Sequence, residues 1–195
     1  LFRVPLLVAL ALSITFGVGI LSAVSALKAT VGFGSISLGP WVAFPNAQTA
    51  DTDPYAKAHR ARTGKLLYGG AEGLQFTAAK DDSGATLTTA CSYDISGTTP
   101  PARFWTLYSA NTGDVPLRAT SDLPGALNAW TVLRKPDTSF VIHVSPSARP
   151  DNWLAVPRAG AFKLVLTLLD TPAAGSSGVI DLAMPKIVKT ECGNG

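Results

Sequence analysis

Residues 73–95 read GLQFTAAKDDSGATLTTACSYDI, and this stretch decides the fold. Two strand-like runs, residues 73–79 and 86–95, flank Asp81-Asp82-Ser83-Gly84, whose Asp and Gly favour a hairpin turn. In the second run a period of two sets Leu87, Thr89, Cys91 and Tyr93 on one side, opposite their neighbours. That is strand chemistry, and it continues towards the C-terminus. A turn at residues 97–101 precedes RFWTLY (103–108), an aromatic strand, and residues 111–130 are looser. Residues 130–134 and 139–144 (SFVIHV) read as a hairpin about Pro136-Asp137, followed by a loop at 145–151. FKLVLTLL (162–169) is a core strand, residues 171–178 are a Pro/Gly/Ser loop, and 179–192 end as a short strand or turn and an extended tail. Many short strands punctuated by turn residues predict a mainly β, jelly-roll-like β-sandwich with one packed helix.

Upstream, DPYAKAHRART (53–63) carries helix punctuation at both ends. Asp53 is a natural N-cap, Pro54 suits the first helical position, Arg60 and Arg62 favour the C-terminal end, and Gly64 closes it. Residues 46–52 form a polar linker. Residues 30–44 (TVGFGSISLGPWVAF) are apolar but broken by Gly and Pro, so they read as an extended stalk or an edge segment.

Residues 4–27, VPLLVALALSITFGVGILSAVSAL, are uncharged and bracketed by Arg3 and Lys28. The run exceeds the roughly 20 apolar residues that cross a bilayer core, and a helix satisfies its own backbone there. A cleaved secretory signal is the competing reading, because Ala23, Ser25 and Ala26 are small. A signal's apolar core is typically about 7–15 residues, so a retained transmembrane helix is preferred. Ala9, Ser13 and Gly17 recur every four residues, as do Ala11, Thr15, Gly19 and Ala23. Small residues at that interval let a second span approach closely, although they are also frequent in spans generally. The expected partners are the lipid bilayer and either a transmembrane protein or a second copy. The resulting division is an anchor at 1–28, a stalk and linker at 29–52, and a domain at 53–195.

The 195 residues are 47% hydrophobic and 15% charged, with a net charge of +3. The densest basic stretch, His59-Arg60-Ala61-Arg62, is too short for a phosphate-binding patch, so nucleic acid is not expected. Cys91 and Cys192 are the only cysteines, and they stand apart from His59 and His143, so no metal site is expected. In an oxidising compartment two lone cysteines usually pair. A bridge closing that loop of about 100 residues is worth on the order of 4–5 kcal/mol in the chain-entropy model. A structural disulfide places the domain outside the cytoplasm, with the N-terminus inside.

No G-x-S-x-G elbow, P-loop or dinucleotide fingerprint occurs, and no cofactor or catalytic residue is expected. Residues 69–73 (GGAEG) precede a strand rather than opening a helix, so they read as turn entry and not as a phosphate loop. Glu72 is placed to pair with Arg103 or Arg60. Tyr93, Phe104, Trp105 and Trp153, with Asn152, Arg103 and Glu72, form the candidate lining of a sugar-binding cleft; core packing is the ordinary alternative. His143 lies within an apolar strand, where a satisfied semi-buried imidazole is the usual outcome.

The blocks DPYAKAHRARTGKLLYGGAEGLQFTAAKDDSGATLTTACSYDISGTTPPARFWTLY, SFVIHVSP, NWLAVP and FKLVLTLLDTP occur in one order between residues 53 and 172, and the resemblance they carry covers about residues 36–192. Together they resemble the bacterial family called domain of unknown function 1214. The resemblance implies a β-rich, jelly-roll-like domain, preceded by a helix, in single-span proteins of proteobacterial inner membranes. In larger relatives it implies a second β domain and, for some, carbohydrate or uronate chemistry. The family's Arg and Tyr before the Asp-Thr-Pro stand here as Thr167 and Leu169, which puts any activity that uses them in doubt. Its late Pro-x-Ile…Cys is matched by Pro185, Ile187 and Cys192, in keeping with a disulfide. The reading that results is a non-catalytic, membrane-anchored periplasmic domain, an accessory or interaction subunit of an inner-membrane assembly. A carbohydrate-binding or carbohydrate-processing domain is the alternative.

Overall fold

The computed structural model describes residues 3–30, 32–46, 49, 52–64, 68, 72–119, 122–158, 160–174 and 183–193. Residues 69–71, read above as turn entry, and parts of the 46–52 linker and the 171–178 loop lie outside this set. Two compact units emerge: Leu1–Gly34 with Ala50–Leu66, and Ser35–Thr49 with Leu67–Gly195.

The first unit is helical. α1 (Arg3–Ala29) has no buried residue and is long and apolar enough to cross a membrane. Within it, the Ser13 and Thr15 hydroxyls donate back to the Ala9 and Ala11 carbonyls, both at 2.8 Å, which satisfies these two polar groups within the helix. α2 (Pro54–Thr63) begins and ends where its punctuation predicts. Asp53 accepts from the Tyr55 and Ala56 amides, and Gly64 takes the left-handed conformation that closes a helix (φ 64°). α2 packs beside the C-terminal end of α1, where Thr30 Oγ1 lies 3.3 Å from His59 Nε2 and the Phe33 and Tyr55 rings meet edge to face.

The second unit is a β-sandwich, with ten strands among the described residues. Its six-stranded sheet runs β1 (Ile36–Leu38), β2 (Trp41–Ala43), β3 (Gly73–Ala78), β9 (Phe162–Leu169), β5 (Phe104–Asn111), β6 (Ala126–Asn128). The four-stranded sheet runs β10 (Lys186–Cys192), β4 (Cys91–Gly97), β7 (Phe140–Ser145), β8 (Trp153–Ala155). Every pairing is antiparallel except β7 with β8. Side chains from both sheets meet in one core. Trp105 of β5 packs on Phe140 of β7 with ring centroids 5.4 Å apart, and Tyr93 of β4 packs on Phe162 of β9 at 5.9 Å. β9 is flanked on both sides, and residues 164–168 are all buried, which explains why its sequence is nearly continuous in apolar residues.

Residues 35–49 belong with the strands, because β1 and β2 form a hairpin that pairs onto β3. Of stalk or edge segment, the edge is what forms there. The turn at 81–84 forms, with the Asp81 carboxylate accepting from Ser83 Oγ, Ser83 N and Ala85 N and Lys80 bridging to Thr86, but the runs it joins do not make a hairpin ladder: β3 enters the six-stranded sheet and β4, which begins only at Cys91, the four-stranded one. Alternation across it also holds, with Leu87, Thr89, Cys91 and Tyr93 all buried.

One strand expected from sequence does not form. Residues 130–134 are a turn rather than half of a hairpin, and β6 precedes them. The cause is Asn128, whose side-chain oxygen accepts from the Trp130 and Thr131 amides and so takes the bonds a ladder needs. The segment at 186–192 is a full strand, pinned by the Cys91–Cys192 disulfide.

Candidate functional site

The expected cleft does not assemble. Tyr93 and Trp105 are 1% and 2% exposed and belong to the sandwich core, so neither offers a ring face to a ligand. Burial of the Tyr93 phenol raises its pKa, and its hydroxyl accepts from the Thr88 amide. Asn152 is buried and its amide is spent: Oδ1 accepts from Leu133 N at 2.6 Å, and Nδ2 donates to the Leu133 and Val141 carbonyls. Trp153 is half-buried and donates Nε1–H to the Ser145 carbonyl. Arg103 is exposed and reaches Asp170 at 3.7 Å, a surface pair worth about 0–1 kcal/mol. The Glu72 backbone carbonyl accepts from Asp170 N. Thr167 and Leu169 sit in β9, with Thr167 buried.

A different group does converge, on the outer face of the four-stranded sheet. Period two turns Cys91, Tyr93 and Ile95 of β4 inward and leaves Ser92 and Asp94 facing outward. The antiparallel register sets Asp94 opposite His143 of β7. His143 Nδ1 then lies 2.7 Å from Asp94 Oδ1, with both side chains about one-third exposed. One step along the sheet, Ser92 Oγ donates to Ser145 Oγ at 3.1 Å. The third wall comes from β10 and depends on a bulge. Lys189 opposes Tyr93 and Glu191 opposes Ser92, so Thr190 is the extra residue. Without it Glu191 would share the face of Cys91, and Cys192 would not stand opposite its partner. With it, Glu191 faces outward and pairs with Arg149 from the loop after β7. The result is a groove of about 220 Å³ lined by these residues, with Thr190 at its rim.

The chemistry of the groove is limited and definite. A carboxylate only accepts, so the Asp94 contact fixes the proton on Nδ1 and leaves Nε2 with a lone pair. Nε2 can accept a proton or a hydrogen bond from a ligand. Ser92 and Ser145, which line the same groove, bond each other. Among the described residues no group of three His, Cys, Asp or Glu is placed to hold a metal ion. Of this set, sequence reasoning singled out only His143. Polar residues alternating with buried ones in 91–97 mark the outward face of β4, but the pairing with β7 and the bulge in β10 are three-dimensional facts.

A family model described as a protein of unknown function, DUF1214, matches residues 72–173. Among curated proteins none matches the chain. Among solved structures, the VPA0106 protein from Vibrio parahaemolyticus superposes with a TM-score of 0.64 at 16% identity. The match covers 90% of this chain and 44% of that one, so the chain spans less than half the length of that protein. At this identity the likeness is one of fold. An uncharacterised protein from Burkholderia cenocepacia aligns over 77% of this chain and 47% of its own, with 17% identity and a TM-score of 0.42.

Proposed function

The chain belongs to the DUF1214 family, and we propose that it is a membrane-anchored member whose β-sandwich works in the periplasm as a non-catalytic accessory or interaction subunit of an inner-membrane assembly. The observation that carries this reading is α1: twenty-seven residues, none buried, whose only charges are Arg3 and Lys28 near its two ends. An apolar helix of this kind has a stable environment in lipid and a poor one in water. The Cys91–Cys192 disulfide supports an oxidising compartment for the strands, since such bonds persist outside the cytoplasm.

In this reading Ala9, Ser13, Gly17, Gly19 and Ala23 seat a second span, because small residues let two backbones approach in lipid. Nothing lies within 4 Å of a methyl group built on Gly17 or Gly19, so larger residues there leave the isolated helix unstrained. The test is co-purification of the full chain from native membranes in mild detergent. Wild type is expected to bring down a membrane protein, or itself as an oligomer, and Gly17→Leu with Gly19→Leu to lose it. A free monomer in both cases rejects the accessory role.

A further inference from the structure

The loop after β6 holds two large apolar side chains in water on a rigid frame. Trp130 is 85% exposed and Leu133 is 61% exposed, while Val132 between them is buried in the core. The frame is tight. The Trp130 and Thr131 amides donate to Asn128 Oδ1, the Val132 amide to the Asn128 carbonyl, and the Leu133 amide to Asn152 Oδ1. Four successive N–H groups are thus satisfied, three by Asn128 and one by Asn152, which immediately precedes β8. Phe104 supports the Trp130 ring from beneath at a centroid distance of 4.8 Å. A loop could bury these side chains by collapsing, and this one is bonded so that it cannot.

Charge surrounds the pair on one side. Arg134 and Lys135 follow directly and are exposed, and residues 126–135 contain no acid. Arg134 is steadied by its bond to the Thr138 carbonyl and by the Trp105 and Phe140 rings, each 5.9 Å away. Acids near the loop include Asp137, whose carboxylate is turned onto Ser139, Asp170, which pairs with Arg103, and the exposed Asp151 beside Asn152. An indole with an aliphatic neighbour and adjacent cations suits the headgroup layer of an anionic bilayer, where Trp is enriched and Lys and Arg find phosphate.

We propose that Trp130 and Leu133, with Arg134 and Lys135, form a second membrane contact, seating the loop after β6 in the headgroup layer of an anionic bilayer. This rests on α1 being a retained span. It differs from that reading in giving the sandwich a bilayer-facing surface of its own, so that the domain is held at two points.

The tryptophans make the test direct. α1 contains none; Trp41 and Trp105 are sealed in the core, Trp153 is half-buried, and Trp130 is the open one. The full chain is placed in nanodiscs of phosphatidylcholine and phosphatidylglycerol, with and without lipids brominated near the headgroup end of the acyl chain, and tryptophan emission is recorded. Wild type is expected to be quenched by the brominated lipid. Trp130→Phe should remove the quenched component, and Leu133→Asp, which keeps the indole, should lose most of the quenching while its thermal melting stays that of wild type. A wild type that resists carbonate extraction yet shows no quenching overturns the headgroup contact and leaves the anchor standing. That pattern, with Trp130 shielded from acrylamide in native membranes, assigns the surface to a protein partner instead. Equal quenching in wild type and Leu133→Asp, or unchanged quenching in Trp130→Phe, also overturns it. Release of the chain by carbonate removes the anchor reading, and the second contact falls with it.

Discussion

Cys192 is bonded to Cys91 and stands directly opposite it in the β10–β4 ladder, 101 residues away in sequence. The bridge ties an edge strand to the strand beside it, and the bulge at Thr190 sets the register that lets the two sulfurs meet. Reduction, or Cys91→Ser with Cys192→Ser, is therefore expected to cost about 4–5 kcal/mol by the chain-entropy relation. Denaturant unfolding with and without reductant measures it. Amide exchange should show β10 opening before β9, and identical unfolding midpoints would contradict the assignment.

The turn at 81–84 has a pH signature. Hydrogen bonds from Ser83 Oγ, then the Ala85 and Ser83 amides, hold the Asp81 carboxyl below its ordinary value against the opposing effect of its burial. A depressed folded value means the stabilisation is present above the unfolded pKa of about 3.9 and is lost as pH falls through the folded one. Asp81→Asn should accordingly be destabilised at neutral pH, with the gap to wild type closing in acid. Urea midpoints at a series of pH values read this out; a gap independent of pH contradicts it.

Gly73 begins β3 where only hydrogen fits. A Cβ there would run into the Leu168 carbonyl oxygen of the neighbouring strand, whereas a Cβ at Gly125 meets nothing closer than 4.0 Å. Gly73→Ala is expected to cost about 1–3 kcal/mol, as overpacking does. Gly125→Ala should stay within about 0.5 kcal/mol. Chemical denaturation of the two variants distinguishes them.

The Asp94–His143 contact predicts a tautomer. Nitrogen-15 correlation spectra of the ring at neutral pH should show hydrogen on Nδ1 and a bare Nε2 in the unprotonated imidazole. Asp94→Asn should let the two tautomers mix. A ring carrying its hydrogen on Nε2 in wild type would contradict the contact.

Local chemistry made much of this fold legible. α2 is punctuated at both ends by residues with one good role each, and β9 is a run too apolar to be anything but a central strand. The turn at 81–84 needs only Asp81 and its neighbours. Residues 130–134 misled because WTVLR has strand-like content, and a single preceding Asn128 outcompetes it by taking the amides. The site was harder for a related reason. Tyr93 and Trp105 are aromatic residues in strands, and nothing local tells an outward ring from an inward one when the register is unknown. His143 was visible, but its partner Asp94 becomes a partner only once β4 and β7 align. Arg149 meets Glu191 only because a bulge displaces one residue of β10.

The central claim is a retained span holding a cystine-bridged sandwich, and intact mass spectrometry of the protein recovered from carbonate-washed membranes tests both halves together. The expected species includes residues 4–27 and is lighter than the reduced chain by two hydrogens. A soluble product beginning after Ala26, or a membrane-bound chain with both thiols free, would contradict it.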